Sequence, residues 1–197
     1  EETRKKVLKV IDEYDYVPHA SARMLAGVKN RIIGLFIIDM AERSGGIKNR
    51  ITSSPYYLEF TSSVIEYASE KGYKVLVHII NNSKGYKEIK ECFYNKTISG
   101  GIFIGENNND EVIKKIINSG YKVALIDQDV REDDDYSKCI IVNADNFKGA
   151  YNATKYLIDC NHRKIAHITG DIEKFSAIER IKGYKKALED ANIPIKD

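Results

Sequence analysis

Ile32-Ile33-Gly34-Leu35-Phe36-Ile37-Ile38 is a seven-residue run with no polar side chain on either face of an extended chain. A strand with one face in water alternates apolar and polar residues, whereas a run like this one belongs to a parallel sheet covered on both sides by helices. Similar runs recur at Tyr73 to Ile80, Gly101 to Gly105, Tyr121 to Asp127, Cys139 to Val142 and Lys164 to Thr169. Between them, amphipathic patterns predict helices over residues 56–71, 85–95, 110–119, 147–160 and 177–191. Strands alternating with helices predict an α/β fold of doubly wound parallel sheets. Such sheets bind ligands beyond the carboxyl ends of their strands, which directs attention to loops 39–55, 81–84, 105–109, 127–138 and 170–177.

Upstream of Ile32 the chain has a different character. Val7, Leu8, Val10 and Ile11 form one stripe of a helix over residues 3–14, with Arg4, Lys5, Lys6 and Lys9 elsewhere on it. Pro18 restricts the residue before it to extended conformations and so ends that helix. Ala20, Ala22, Met24, Leu25 and Ala26 then favour a second, short helix stopped by Gly27. At about nine residues it is below the length at which an isolated helix is stable in water, so it orders only against a partner.

The 197 residues are 43% hydrophobic and 30% charged, as expected of a globular chain. No apolar run approaches the length of a membrane-spanning helix. The formal charge of +2 does not mark a polyanion binder, and residues 32–197 balance at 24 basic against 24 acidic. Phosphate contacts are therefore expected from the N-terminal piece or from what precedes it. Cys92, Cys139 and Cys160 are odd in number and lack C-x-x-C spacing, which reads as reduced thiols and a cytoplasmic setting.

Thr3-Arg4 near a helix start, Tyr16-Val17-Pro18, Ala22-Arg23-Met24-Leu25-Ala26 and then a strand opening Ile32-Ile33-Gly34-Leu35 together resemble the lactose-repressor/galactose-repressor family of bacterial transcription regulators. The likeness extends over nearly the whole chain. It implies a periplasmic-binding-protein-like core of two lobes, preceded by the last helix of a helix-turn-helix domain (residues 1–15) and a hinge helix (16–28). Residues 29–143 would form the first lobe and 144–197 part of the second, the crossover falling near Asn143 to Asp145. The chain reads as a piece lacking the first two helices of the DNA-binding domain and the remainder of the second lobe. The resemblance also implies operator DNA and a small-molecule effector, a sugar or sugar derivative, as partners, and a homodimer as the working state. In the family the hinge helix enters the minor groove and wedges a leucine between base steps. By position that is Leu25, with Ala22 small enough for close approach, Arg23 beside it, and His19 where the family usually has asparagine.

The same resemblance marks effector contacts. Arg180 lies in Gly170 to Tyr184, four residues before the aromatic of Gly183-Tyr184, and its guanidinium could hold paired hydroxyls or a carboxylate. From the residues alone the plainer reading is an exposed helical arginine, with Ile178, Ile181, Tyr184 and Leu188 facing inward. Asp127 ends a predicted strand and suits two adjacent hydroxyls, or else a turn. Tyr56, Tyr57 and Phe175 could cover the apolar face of a sugar, or pack in a core. Ser176, like Ser54, is a weaker candidate.

Ser54-Pro55 reads as a helix cap followed by a first-turn proline. Ala41 to Ser53, rich in Gly, Ser and charge, reads as an open loop rather than a lid. The acidic run Asp127, Asp129, Glu132 to Asp135 lacks the glycine and terminal glutamate of a calcium loop. His78, His162 and His167 have no metal-binding spacing, and no phosphate-binding glycine loop or nucleophile elbow follows any strand. No cofactor, metal or enzymatic activity is expected. The alternative to a regulator is a transport-type sugar-binding protein of the same two-lobed architecture.

Overall fold

The computed structural model describes residues 1–16, 30–38, 54–81, 83–105, 110–129, 139–172 and 174–195. The hinge residues His19, Ala22, Arg23 and Leu25, the loop 41–53 and the acidic residues Glu132 to Asp135 lie outside them.

Five strands form one parallel sheet: β1 (Ile32–Ile38), β2 (Lys74–Ile80), β3 (Gly100–Ile104), β4 (Val123–Ile126) and β5 (Cys139–Val142). Their spatial order is β2-β1-β3-β4-β5. The helices are α1 (Glu2–Glu13), α2 (Pro55–Glu70), α3 (Ser83–Tyr94), α4 (Glu111–Asn118), α5 (Asn146–Asp159) and α6 (Phe175–Asp190). The interior strand β1 is covered on both faces, as its unbroken apolar run requires. Leu35, Ile37 and Ile104 meet Tyr57, Phe60 and Val64 of α2 on one face. Phe36, Phe93, Phe103, Ile113, Ile116 and Ile117 make the other.

That second face is shaped by two glycines. Gly34 pairs with Gly101, and two residues on, Phe36 pairs with Phe103. Alternate residues share a face of a strand, so each phenylalanine leans over a glycine. A Cβ on Gly34 would come within 2.6 Å of the Phe36 ring, and one on Gly101 within 2.6 Å of Phe93. The space so left holds stacked rings, Phe36 to Phe103 at 4.9 Å and Phe93 to Phe103 at 6.2 Å between centroids.

Local chemistry fixes the helix starts. The Asp110 carboxylate accepts from Val112 N at 2.8 Å and Ile113 N at 3.2 Å, capping α4, and from the Tyr86 hydroxyl at 2.6 Å. Asp145 caps α5 by accepting from Lys148 N at 2.9 Å. Ser54 occupies the cap position of α2 with Pro55 next, but its hydroxyl makes no capping bond.

One predicted strand is absent. Residues 164–169 pair with none of the five strands. A strand is made by its neighbours' hydrogen bonds, and here the segment is held from the side, where the Tyr184 hydroxyl donates to Ile165 O at 2.8 Å and the His167 ring stacks on Tyr184 at 5.2 Å. Ile168 remains 97% exposed. Helices α5 and α6 pack directly on each other at Gly183, where a Cβ would collide with the Phe147 carbonyl oxygen and reach 3.0 Å from Tyr151 N.

Candidate functional site

The carboxyl ends of β1, β3 and β4 and the N-terminal turns of α2 and α5 converge with α6 on one edge of the sheet. Gly105, directly after β3, has φ +85, and a Cβ there would strike the Ile38 carbonyl oxygen and come within 3.3 Å of the Tyr57 hydroxyl. Only glycine lets β1, β3 and α2 meet so closely.

Asp127 follows β4 with φ +58, a left-handed conformation that aspartate tolerates better than most residues. Its backbone is locked there. Asp127 N donates to Val142 O at 3.1 Å, and the Asn143 side chain clasps the next residue, accepting from Gln128 N at 3.0 Å and donating to Gln128 O at 2.7 Å. The Asn143 amide in effect extends the β4–β5 ladder by one step into the crossover, tying the carboxyl end of β4 to the exit toward α5.

Asn146, in the first turn of α5, joins the two charged candidates. Its Oδ1 accepts from Arg180 Nε at 2.9 Å, and its Nδ2 donates to Asp127 Oδ1 at 3.4 Å and to Ala144 O at 3.2 Å. The partners settle the orientation of the amide, since a guanidinium can only donate and a carboxylate only accept. Tyr56 lies within electrostatic reach of the same groups. Its hydroxyl pKa is raised above 10.0, first by burial and then by the Asp127 carboxylate, with Arg180 opposing. Tyr56, Asp127 and Arg180 are therefore brought together.

The other predicted residues are placed less directly. Tyr57 stands edge-on to Tyr56 at 5.2 Å but packs into the core over Leu35, Ile37 and Ile104, with only its hydroxyl end approaching Gly105. Phe175 and Ser176 open α6 and are half-buried. Lys174, immediately before them, donates from Nζ to Gly105 O and so ties the α6 side to the end of β3. A cavity of about 560 Å³ adjoins Asn146 and Arg180 and continues between α5, residues 165–167 and α6. Away from that polar end its walls include Ala150, Ala153, Leu157 and Ala166, which offer a ligand no directional group.

Sequence reasoning missed Asn143, Asn146 and Lys174. Lys174 lies within the Gly170 to Tyr184 segment already singled out, so a search for cations there would have found it. The two asparagines sit in the predicted crossover and look like turn residues. Among the described residues, no group of three or more His, Cys, Asp or Glu side chains could hold a metal ion.

A sequence profile described as "Periplasmic binding proteins and sugar binding domain of LacI family" matches residues 47–197. The HTH-type transcriptional regulator DegA of Bacillus subtilis (strain 168) is 30% identical over 203 residues, covering 99% of this chain and 54% of that protein. The chain thus spans about half the length of the curated relatives it matches. Among solved structures, the transcriptional regulator CelR–cellobiose complex superposes with a TM-score of 0.73 at 20% identity, over 99% of this chain and 54% of that one. The lac repressor dimer bound to operator and the anti-inducer ONPF gives 0.71 at 20% identity, over 98% and 54%.

Proposed function

The chain belongs to the LacI family, and from that premise we propose that it acts in a DNA-binding transcription repressor whose core takes a sugar or sugar derivative. The observation that carries this reading is the bridge Arg180–Asn146–Asp127 beside Tyr56, which gathers donors, an acceptor and an aromatic ring at the carboxyl ends of the strands. A sugar presents hydroxyls that both donate and accept around a face of C–H groups, and each of these has a counterpart here. We assign Phe175, Ser176 and the hydroxyl end of Tyr57 to the same proposed effector site.

In this reading residues 1–15 are the last helix of the DNA-binding domain and 16–28 the hinge. Residues 29–143 are the first lobe and 144–197 part of the second. Leu25, Ala22, Arg23 and His19 contact operator DNA, and the protein works as a homodimer. The apolar stripe of α1 supports the division. Val7, Leu8 and Val10 are half-exposed, and no residue of α1 is buried. Such a stripe awaits a partner outside the described residues. Effector binding would shift the balance between dimers whose hinge helices can share a minor groove and dimers whose helices cannot.

The family description also includes periplasmic binding proteins, which need no hinge. DegA, whose name is that of a regulator, aligns over 99% of this chain, including the residues before Ile32, and this favours the repressor. The test is binding of the complete protein to the DNA upstream of its own gene, followed by fluorescence anisotropy. Specific binding that a sugar strengthens or weakens is expected, and Leu25→Ala should reduce it. A complete coding sequence opening with a secretory signal peptide, together with no specific DNA binding, would overturn the repressor in favour of transport.

A further inference from the structure

Three polar side chains are buried among the described residues: Gln128, Asn146 and Thr154. The backbone of Gln128 is held by the Asn143 clasp, and the Thr154 hydroxyl donates within its own helix to Ala150 O at 2.8 Å. Asn146, 6% exposed, instead reaches out of its helix in two directions, to a cation on α6 and to an anion after β4. Burying an amide is costly unless its hydrogen bonds are made, and here both donor and acceptor are engaged.

An arginine and an aspartate this close would ordinarily pair directly. No ion pair between Arg180 and Asp127 exists among the described residues; the amide stands between them. Only a neutral group that accepts on one side and donates on the other can do this. An acid there would repel Asp127, and a base would repel Arg180. By engaging Nε alone, Asn146 leaves both terminal nitrogens of Arg180 without a hydrogen-bond partner among the described residues. By engaging Oδ1 alone, it leaves Oδ2 of Asp127 in the same position.

We infer that Asn146 is a positioning residue that holds Arg180 and Asp127 apart, so that the site takes a vicinal diol, one hydroxyl accepting from the Arg180 terminal nitrogens and its neighbour donating to Asp127 Oδ2. This rests on the effector-binding reading and narrows it to neutral sugars with two free adjacent hydroxyls. Without the spacer the two charges collapse into a direct salt bridge, satisfying each other and leaving nothing for a ligand.

The test uses the complete protein with two readouts. The first needs no ligand: the Arg180 Nε–H signal in side-chain NMR should be protected from exchange in the wild type, lose protection in Asn146→Ala, and keep it in Asn146→Asp, which retains an acceptor. The second is calorimetric binding of D-glucose, D-ribose and cellobiose, with methyl tetra-O-methyl-glucoside as a probe lacking free hydroxyls. The binding sugar should weaken about tenfold or more in Asn146→Ala, the worth of one well-placed hydrogen bond, and the methylated probe should not bind.

Asn146→Asp adds a signature that mere packing would not produce. Its new carboxylate faces Asp127, so one of the pair takes a proton as the pH falls, remaking a donor–acceptor bridge. Sugar binding by this variant, taken relative to the wild type at the same pH, should recover between pH 7 and about pH 5. Of the other groups near the site, the Tyr56 hydroxyl is held above its ordinary value, Asp145 caps its own helix, Lys174 donates to Gly105 O, and His167 stacks on Tyr184 in the same cavity, so wild type and variant are compared at each pH. Unchanged Nε–H protection in Asn146→Ala, or equal binding of the methylated probe, would overturn the inference. If no free sugar binds the wild type, the effector reading fails, and the NMR arm still decides whether Asn146 holds Arg180.

Discussion

The sheet of residues 32–142 and the helix pair α5–α6 come from equally apolar sequence, yet one is a filled core and the other is not. In the sheet, Leu35, Phe36, Phe103 and Ile116 are wholly buried because both faces of β1 are covered. In the helix pair, the buried side chains are mostly small, Ala177 and Ala187 with Leu188, while Tyr156, and Ile168 in the segment joining the two helices, stand in solvent. An apolar pattern states that a surface is to be covered; it does not supply the cover. The candidate site lies on the seam between the two regions, with Asp127 on the completed side and Arg180 on the open one.

If this contrast is physical, substitutions on its two sides should differ in cost. The largest effect is expected in the sheet. Phe103→Ala removes a fully buried ring from the stack with Phe36 and Phe93 and should destabilise the complete protein by about 3–5 kcal/mol in urea unfolding. A smaller loss, about 1–3 kcal/mol, is expected from Gly183→Ala, whose methyl must push the Phe147 carbonyl and prise α5 from α6. Equal costs at the two sites would erase the contrast.

The smallest effect is electrostatic and lies at the exposed end of the helix pair. The Asp190 carboxyl sits below its ordinary value of 3.8 because Lys186, at 2.7 Å, and the Tyr151 hydroxyl, at 3.0 Å, donate to its charged form. A depressed carboxyl contributes stability above its unfolded pKa and loses it as the pH falls through the folded one. Asp190→Asn should therefore lower the unfolding midpoint slightly at pH 7 and converge on the wild type as the pH falls through the depressed carboxyl value. A difference that persisted at low pH would mean that the pair acts through packing instead of charge.

How far the sequence could be read follows the same division. The unbroken runs Ile32–Ile38 and Cys139–Val142 are strands with those same bounds, because burial on both faces leaves an unambiguous pattern. Lys164 to Thr169 carries a similar pattern and forms no strand, since periodicity reports what a segment could bury and not whether a neighbour is present to pair with it. In the site, Arg180, Asp127 and Tyr56 were picked out by the family resemblance, and the structure brings them together at Asn146. Asn143 and Asn146 were not picked out. A side chain that completes a ladder or bridges two charges has no period, and its role exists only once β4, the crossover and α6 are folded together. The left-handed turn at Asp127, which the Asn143 clasp holds in place, is equally silent in the sequence.

The most direct measurement of the central claim is the thermal unfolding midpoint of the complete protein against a panel of sugars, sugar phosphates and purines, with Arg180→Ala in parallel. A bound ligand at 100 times its dissociation constant adds about 2.7 kcal/mol, which raises the midpoint by a few degrees. The account predicts that one sugar shifts the wild type and leaves Arg180→Ala unmoved. A compound that shifts both equally would contradict the placement of the effector between Arg180 and Asp127.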